Sequence, residues 1–342
     1  GPTGKAQSFN NMPWPLVLNL KPISELPTSM DLKSLTVSFL RNSCGFSLEL
    51  AVSTFKKLNI ENIENPNSVL DLLRTHSLEQ NHIRYLISSR PLLLLTDLGN
   101  TLKPNMELFK SLGFCGASLA EMLSKYPAML ESDAYATVEF FRAHGFSEKQ
   151  IKTLTMKLPA LYTYNANKSF MPKLEFFKSL GLSNLEIAEI LSASPLVLQT
   201  SLEKQIIPTW EAFRSFGLSE DEIYAAFKRQ PLCMGCSEKK IKKMMGFFVN
   251  KLKMKPSRIS KTPILLQFSL EKRIIPRCSV LQVLMFKGLI TEHTSIVSIL
   301  KMVEKEFMEK FVSKYQNEVP DVVRAHQGKI EFQGLPIAPM ET

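Results

Sequence analysis

Basic residues recur at two fixed distances from a series of regularly spaced prolines, and these side chains are the ones best suited to binding chemistry. The prolines are Pro91, Pro127, Pro159, Pro195, Pro231 and Pro263. Two residues before them stand, in order, Ser89, Lys125, Lys157, Ala193, Arg229 and Lys261. Nine residues after them stand Asn100, Ala136, Lys168, Lys204, Lys240 and Lys272. Because such cations pair with phosphate, two rows of them predict contact with a nucleic-acid backbone, although solvated helix ends are the alternative.

A run of lysines follows a residue that is suited to begin a helix. The N-cap candidate is Ser237, and the lysines are Lys239, Lys240, Lys242 and Lys243. The helix dipole disfavours each cation there by about 0.3–1 kcal/mol. A phosphate at the same helix end would reverse that preference. Arg273 and Arg277 are expected to join this patch, and neutralising about six phosphates would give a logarithmic salt dependence with a slope of about −5.

The positive charge is concentrated in one part of the chain. The 342 residues include 42 Lys or Arg and 32 Asp or Glu, a net charge of +10. Residues 228–287 hold fifteen of the basic residues and only two acidic ones, Glu238 and Glu271, a local charge of +13. The rest of the chain holds 27 basic and 30 acidic residues. This distribution predicts an acidic partner for residues 228–287.

Other residue patterns predict neither catalysis nor a metal site. The five histidines, His76, His82, His144, His293 and His326, have no metal spacing, and no phosphate loop or dinucleotide motif occurs. Cys233 and Cys236 form a C-x-x-C pair, but Cys233 occupies a position that is apolar in the other repeats, so we interpret it as a core residue. We expect no enzyme activity and no cofactor. Five scattered cysteines predict a reducing compartment.

The anchor prolines mark a repeat that must position the basic residues. Successive prolines lie 36, 32, 36, 36 and 32 residues apart, a period typical of solenoids built from supersecondary units. Each unit reads as a short apolar run, a first helix, a glycine and a second helix. A second proline recurs in the first helix, at Pro104, Pro172, Pro208 and Pro276. It predicts either the first turn of that helix or a kink within it.

The turn between the two helices has its own signature. Gly113, Gly145, Gly181 and Gly217 suit the left-handed residue that ends the first helix, whereas Leu252 takes that place in the unit from Pro231. Capping boxes are predicted for Ser77 with Gln80, Ser118 with Glu121, Ser147 with Gln150, Ser183 with Glu186 and Ser219 with Glu222. The pattern predicts an antiparallel hairpin, in which the two rows of cations share one edge of the stack.

The pattern also predicts the organisation of the whole chain. We interpret residues 1–30 as a flexible leader, either what remains of a processed transit peptide or cloning-derived residues. Residues 31–326 are expected to form one helical-repeat body, with a capping helix near 294–315 that carries Ile299, Val303, Phe307 and Phe311 on one face. Residues 327–342 lack periodicity and predict a flexible tail. No apolar run approaches the length of a membrane span, so we expect no membrane association.

With this register, the chain resembles the mitochondrial transcription termination factor (mTERF) family, and more closely its land-plant branch. The resemblance covers roughly residues 31–320. It is carried by six P-x-L-L-like openings (PLLLL, PAML, PALY, PLVL, PLCM, PILL), S-L-E-K-x-I-I-P at Ser201 and Ser269, F-x-x-x-G-[FL]-S hairpins, and Ser43-Cys44-Gly45-Phe46-Ser47. It implies an all-α, curved solenoid of mTERF-type repeats, about 32–36 residues each, whose basic concave groove binds double-stranded nucleic acid.

The resemblance implies a regulator of organelle gene expression. We expect it to bind double-stranded DNA and to control transcription or its termination, with RNA binding for intron splicing or processing as the alternative. An alternative of another class is a helical-repeat scaffold for an acidic protein. We expect a monomer, in the mitochondrion rather than the chloroplast, with transcription or splicing proteins as further partners. The expected nucleic-acid-binding residues are Lys125, Lys157, Lys168, Lys204, Arg229, Lys239, Lys240, Lys242, Lys243, Lys261, Lys272 and Arg273.

Overall fold

The structure, a computed structural model, describes residues 34–291 and 295–336. Over those residues the regular secondary structure is helical throughout and contains no strand, which confirms the all-α prediction. The chain divides into two compact units, residues 1–134 and 135–342, where the sequence predicted one body. The predicted leader, residues 1–30, lies outside the described residues.

Each repeat contains three helices, because the apolar run after the anchor proline folds as a 3-10 helix. The residue before each anchor has φ between −131° and −150° and ψ between 58° and 79°. A proline ring excludes α-helical geometry from the residue that precedes it, so the second helix ends there. The 3-10 helices are Pro91–Leu95, Pro127–Glu131, Pro159–Thr163, Pro195–Gln199, Pro231–Gly235 and Pro263–Gln267.

The first helices contain a π-helical turn in several repeats. They are Leu98–Leu102 with Lys103–Ser111, Ala134–Ala143, Ala166–Ser169 with Met171–Ser179, Leu202–Ile206 with Ile207–Ser215, Glu238–Gly246 with Phe247–Lys251, and Leu270–Ile274 with Ile275–Phe286. Before Pro208, the N–H of Ile207 bonds to the carbonyl of Leu202, five residues back. The wider turn accommodates a proline ring that would otherwise meet a carbonyl in the preceding turn. Of the two alternatives predicted for the second proline, Pro208 therefore follows a distortion within the first helix rather than beginning that helix.

Each second helix begins after a turn that contains a left-handed residue and, two residues later, the N-cap. They are Gln80–Ser89, Gly116–Lys125, Glu148–Lys157, Asn184–Ala193, Glu220–Arg229 and Pro256–Lys261. The predicted left-handed glycines are confirmed, with φ between +84° and +91°. In the unit from Pro231, however, Lys253 is the left-handed residue, with φ +55°, and Leu252 precedes it.

The capping boxes of Ser147, Ser183 and Ser219 are confirmed. Those of Ser77 and Ser118 are wrong, because the N-cap lies two residues after the left-handed residue of each turn. Ser77 is itself left-handed, with φ +62°, so Glu79 is the N-cap of its helix. Cys115 lies two residues after Gly113 and is the N-cap there, and Ser118 supplies the reciprocal bond at the third helical position.

The first unit begins with the helices Leu35–Asn42, Leu48–Phe55 and Glu64–Thr75. Neighbouring repeats of this unit are joined by asparagine side chains, which donate hydrogen bonds to the carbonyls at the C-terminal end of a 3-10 helix. Asn65 Nδ2 lies 3.0 Å from the carbonyl oxygen of Leu94 and 3.1 Å from that of Thr96. Asn105 is buried and donates in the same way, over 2.8 Å, to the carbonyls of Leu130 and Ser132. Each asparagine thus connects one repeat to the next.

In the second unit, equivalent helices of neighbouring repeats contact one another. The first helices around Trp210 and Ile241 touch, as do the second helices of the same two repeats, and the 3-10 helices from Pro195, Pro231 and Pro263 form a continuous series. Aromatic side chains fill the space between layers, including Phe177 stacked on Phe227 with ring centroids 4.9 Å apart. This arrangement is the layered packing expected of a helical-repeat protein.

The C-terminal region differs from its prediction. The single helix near 294–315 is replaced by Ile296–Lys301, Glu304–Phe307 and a π-helical stretch, Met308–Ser313, because the chain leaves helical geometry at Met302, with ψ 142°. Val303 is consequently 65% exposed rather than part of an apolar face, while Phe307 and Phe311 are buried. The helix Asp321–His326 then packs against Ile275–Phe286.

The predicted tail is partly ordered. Gln282 donates to the carbonyl of Glu331 over 3.2 Å and accepts the N–H of Gln333 over 2.7 Å. The Phe332 side chain is buried, with its ring centroid 5.5 Å from that of Phe247. Residues 330–335 therefore belong to the fold. Residues 337–342 lie outside the described part of the chain.

A column of buried polar residues runs through the first helices, eight residues before the glycine that ends them. Its members are Asn105, Thr137, Lys173 and Thr209, and Arg277 takes the same place after Pro276. Thr209 Oγ1 donates over 2.7 Å to the carbonyl of Cys236, at the end of the next 3-10 helix. Buried polar side chains need such partners, so Thr209 couples its repeat to the next one, as Asn105 does in the first unit, whereas Lys173 Nζ donates to the carbonyl of Ser169 in its own repeat.

Replacing Thr209 by Val should lower the free energy of unfolding by about 1–3 kcal/mol, because the shape is kept while the buried Cys236 carbonyl loses its donor. Urea unfolding followed by circular dichroism measures the change. Thr163→Val is the matched control, since Thr163 is exposed and bonds within its own 3-10 helix. Equal stability of the two variants would contradict a coupling role for Thr209.

Candidate nucleic-acid interface

The row of residues two positions before the anchors ends the second helices. Lys125, Lys157, Arg229 and Lys261 are each the last residue of a helix and are exposed. A cation at the C-terminal end of a helix interacts favourably with the helix dipole. Helix stability alone is therefore enough to explain why this row is basic. Lys125 also pairs with Glu121 over 2.8 Å, in the first unit.

The row nine positions after the anchors lies at helix N-termini. In the second unit, each of its lysines follows an N-cap residue by three positions, and its backbone N–H donates to the cap oxygen. The bonds are Lys168 to Asn165 (3.0 Å), Lys204 to Ser201 (3.2 Å), Lys240 to Ser237 (3.2 Å) and Lys272 to Ser269 (3.1 Å). Four successive repeats therefore place a lysine in one local geometry, which we call the cap-lysine row.

Contacts within the second unit bring the two rows to the same edge. A 3-10 helix of five residues, spanning roughly 10 Å, joins the end of each second helix to the N-cap of the next first helix. Lys157 Nζ lies 3.3 Å from the carbonyl oxygen of Ala193, the equivalent residue one repeat later. Lys240 Nζ lies 3.4 Å from that of Gln267 at the end of the next 3-10 helix. The predicted shared edge is therefore present from Lys157 to Lys272.

The cations of this edge differ in what they already contact. Lys242 pairs with Glu238, Lys243 pairs with Glu271, and Arg229 donates to the carbonyl of Ala225. Lys168, Lys204, Lys239, Lys261 and Lys272 are exposed, and within the described residues their side chains have no hydrogen bond or ion pair. These five ammonium groups are the ones free to meet an external anion.

The two arginines expected in the patch have structural roles instead. Arg277 is 1% exposed and donates to the carbonyls of Ile299, Leu300 and Met302, as well as to Glu304 over 2.7 Å. It closes the C-terminal end of a helix from inside the protein and cannot reach an external phosphate. The prediction for Arg277 is therefore wrong.

Arg273 makes the same kind of contact closer to the surface. Its guanidinium donates to the carbonyls of Leu300, Lys301 and Met302 over 2.8–3.2 Å, and it lies 3.9 Å from the ring centroid of Phe268. Burial lowers the pKa of Arg273, and the nearby charge of Arg277 adds to that effect. Its Nε and Nη2 donors face the chain itself, so we give Arg273 a structural role and rank it below the exposed lysines as a phosphate ligand.

The cysteine pair behaves as a core element. Cys233 is fully buried, and burial raises the pKa of its thiol well above the ordinary value. Burial also raises the pKa of Cys236. Among the described residues, no cluster of three or more His, Cys, Asp or Glu side chains could hold a metal ion. Over the same residues, no helix has both the length and the apolar character needed to cross a bilayer.

Two apolar side chains are exposed on the same edge. Leu196 is 56% and Leu232 38% exposed, each directly after an anchor proline. The 3-10 helices that carry them contact each other. Sequence reasoning missed them because a leucine in an apolar run reads as a core residue, whereas the three-residue period of the 3-10 helix turns this position outward.

Comparison with known proteins gives one family. A family model described as mTERF matches residues 70–138 and 132–308, which is more than half of the chain. No curated protein matches the chain.

Replacing Arg277 by Leu should destabilise the protein on the order of 3 kcal/mol, because it leaves three carbonyls and Glu304 without their buried donor. Lys272→Gln should keep the unfolding midpoint or raise it slightly, because the Lys272 side chain is exposed and its charge opposes the helix dipole. The two variants should differ in the opposite sense in duplex-DNA binding. Lys272→Gln should reduce the slope of log affinity against log salt by about 0.9, whereas the folded fraction of Arg277→Leu should keep the slope of the unmodified protein. A salt slope that falls with Arg277→Leu would contradict its structural role.

Proposed function

The chain belongs to the mTERF family, whose members are nucleic-acid-binding factors and not enzymes, and from this premise we propose that it binds double-stranded DNA to regulate organelle gene expression. The binding surface is the edge of the second unit that carries the cap-lysine row. By binding there, the chain would regulate transcription or its termination.

The observation that carries the proposal is the repetition of unpaired cations in one geometry. Lys168, Lys204 and Lys272 occupy the same position of three repeats and have no intramolecular partner among the described residues. At a helix N-terminus they meet an unfavourable dipole, so they weaken the isolated protein. A bound phosphate offsets that cost, because it accepts from backbone N–H groups and ammonium groups together.

The spacing of the row supports a duplex ligand. Packed helices lie about 8–10 Å apart, so four successive repeats extend the row over roughly 30 Å. Duplex DNA rises about 3.4 Å per base pair, so the row spans about nine base pairs of a duplex that lies alongside it. A regularly spaced series of charges is better suited to the repeating phosphates of a duplex than to a folded RNA loop, whose bases are read individually.

The land-plant branch and the organellar location are parts of the same proposal. They are supported by the S-L-E-K-x-I-I-P motifs at Ser201 and Ser269 and by the Ser43-Cys44-Gly45-Phe46-Ser47 segment. A fluorescent fusion expressed from the full-length coding sequence tests the location. We expect mitochondrial fluorescence, whereas chloroplast fluorescence would transfer the proposal to that organelle, and a cytosolic signal would contradict it.

A scaffold for an acidic protein is a second candidate, favoured by the exposed Leu196 and Leu232 beside the cations. Protein interfaces use apolar anchors next to charge, whereas backbone binding needs mainly charge. Leu196→Gln with Leu232→Gln should leave the affinity for duplex DNA within about twofold, since a phosphate backbone offers these side chains little. If the chain binds neither DNA nor RNA, the scaffold is the better hypothesis.

Replacing Lys168, Lys204 and Lys272 together by Gln should reduce the slope of log affinity against log salt by about 3 on duplex DNA, because each lost phosphate contact releases about 0.9 fewer counterions. Fluorescence anisotropy with a labelled duplex over roughly 50–200 mM salt measures it. The loss should be uniform across sequences, since backbone contacts carry no base information.

The matched control replaces Lys149, Lys178 and Lys305 by Gln, which removes the same charge from exposed lysines outside the edge. The salt slope of the control should match that of the unmodified protein. Equal losses in both triple variants would show that only net charge matters and would contradict a defined interface. Parallel titrations with duplex RNA and single-stranded RNA of the same sequence show whether the protein prefers DNA or RNA.

A further inference from the structure

The basic residues of 228–287 do not all lie on the edge described above. Lys251, Lys253 and Lys255 belong to the turn between the first and second helices of the unit from Pro231. The first helix, Glu238–Gly246 with Phe247–Lys251, separates them from the cap-lysine row. Its 14 residues span roughly 20 Å. The charge patch predicted from the sequence is therefore two surfaces at opposite ends of one helix.

This turn departs from the other turns at the positions that normally stabilise them. The repeats from Pro127, Pro159 and Pro195 have glycine, an apolar residue and serine, as in Gly181-Leu182-Ser183. Here the sequence is Lys253-Met254-Lys255. The turn still closes onto the first helix, because Met254 is buried and its N–H bonds to the carbonyl of Phe248 over 3.0 Å, as the N–H of Leu182 bonds to the carbonyl of Phe177. Lysine therefore replaces two residues whose backbone roles persist.

Both replacements make the turn less stable. Lys253 adopts φ +55°, a left-handed conformation that glycine takes without strain and lysine does not. Lys255 is the N-cap of Pro256–Lys261, yet within the described residues its side chain forms no cap hydrogen bond, whereas Ser183 and Ser219 do so in their repeats. A cation there also opposes the helix dipole. Non-glycine residues held in left-handed geometry concentrate at functional positions.

The turn presents its lysines without neutralising partners. Lys251, Lys253 and Lys255 are exposed, and the residues between them, Leu252 and Met254, are buried. This alternation directs the three ammonium groups to solvent. In the described part of the chain they form no ion pair. The equivalent helix starts elsewhere in the unit carry carboxylates instead, at Glu148, Glu186 and Glu220-Asp221-Glu222, whereas Pro256–Lys261 carries none.

We propose that Lys251, Lys253 and Lys255 form a second phosphate-binding surface, which engages a nucleic-acid backbone at the opposite end of the helix from the cap-lysine row. This inference rests on the proposed function, since it takes nucleic acid as the ligand. The phosphates come either from the other strand of the duplex held by the row or from a separate duplex segment. In the first case the protein holds one duplex at two sides, and in the second it bridges two segments.

The test restores the turn found in the other repeats. Lys253→Gly with Lys255→Ser recreates the glycine and the serine cap, and Lys251→Gln removes the third charge. The triple variant should have a higher melting temperature than the unmodified protein, because left-handed strain is relieved and a cap is gained. Weaker binding by a more stable protein cannot be attributed to unfolding.

Two measurements with labelled duplex DNA locate the phosphates. If they belong to the same duplex, the salt slope for one duplex should fall by about 3 in the triple variant. If they belong to a second segment, that slope should be unchanged, and the variant should lose the ability to hold two differently labelled duplexes in energy-transfer range. Either result supports the surface. Lys305→Gln with Lys314→Gln, which changes exposed lysines of the C-terminal region, is the control for net charge.

A triple variant that melts higher but binds one duplex and bridges two duplexes as the unmodified protein does would overturn the inference. The proposed function would still stand in that case if replacement of Lys168, Lys204 and Lys272 weakens binding. Failure of the unmodified protein to bind any duplex would instead contradict the proposed function itself.

Discussion

The structure depends on how each 3-10 helix is closed. Its last carbonyls point away from any continuing helix and would be buried without a donor, which a folded protein rarely tolerates. For three of these helices the donor comes from the first helix of the preceding repeat: Asn65 donates to Leu94, Asn105 to Leu130 and Thr209 to Cys236. Arg277 does the same for the helix Ile296–Lys301. One hydrogen-bonding requirement therefore joins neighbouring repeats, and shape-complementary aromatic packing fills the space that it defines.

The same coupling positions the candidate interface. Because the first helix of one repeat must reach the end of the next 3-10 helix, its N-terminus is held beside that end. Lys240 shows this directly, since its ammonium group contacts the carbonyl of Gln267. In the second unit, the residue at the third helical position of the first helices that begin with an N-cap is then presented at one edge, with a spacing set by helix packing rather than by the side chain. A row of charges with a fixed spacing follows from a requirement of the core.

The chain carries cations where they weaken its local structure. Lysines occupy helix N-termini in the row that includes Lys204 and Lys272, and Lys253 occupies a left-handed position. Other basic residues are placed favourably, such as Arg229 at a helix C-terminus, or are neutralised, such as Lys243 by Glu271. The unfavourable subset is the informative one, because selection for folding alone does not account for it. We therefore expect stability and binding to be separable by mutation, most clearly at the two charged surfaces of the unit from Pro231.

The repeat register, the left-handed glycines, three capping boxes and the two rows of cations could be predicted from the linear order of residues, because each is a pattern of residue type and spacing along the chain. It failed where the outcome depends on distant residues. Arg277 reads as a surface cation until the carbonyls of 299–302 are placed around it, and Gln282 reads as an ordinary helix residue until it binds residues 331–334. The three-dimensional packing was needed to show which lysines are already paired and that the basic residues of 228–287 lie on two surfaces. Charge and spacing are local properties of a chain, whereas burial, pairing and the face on which a side chain emerges are set by what packs against it.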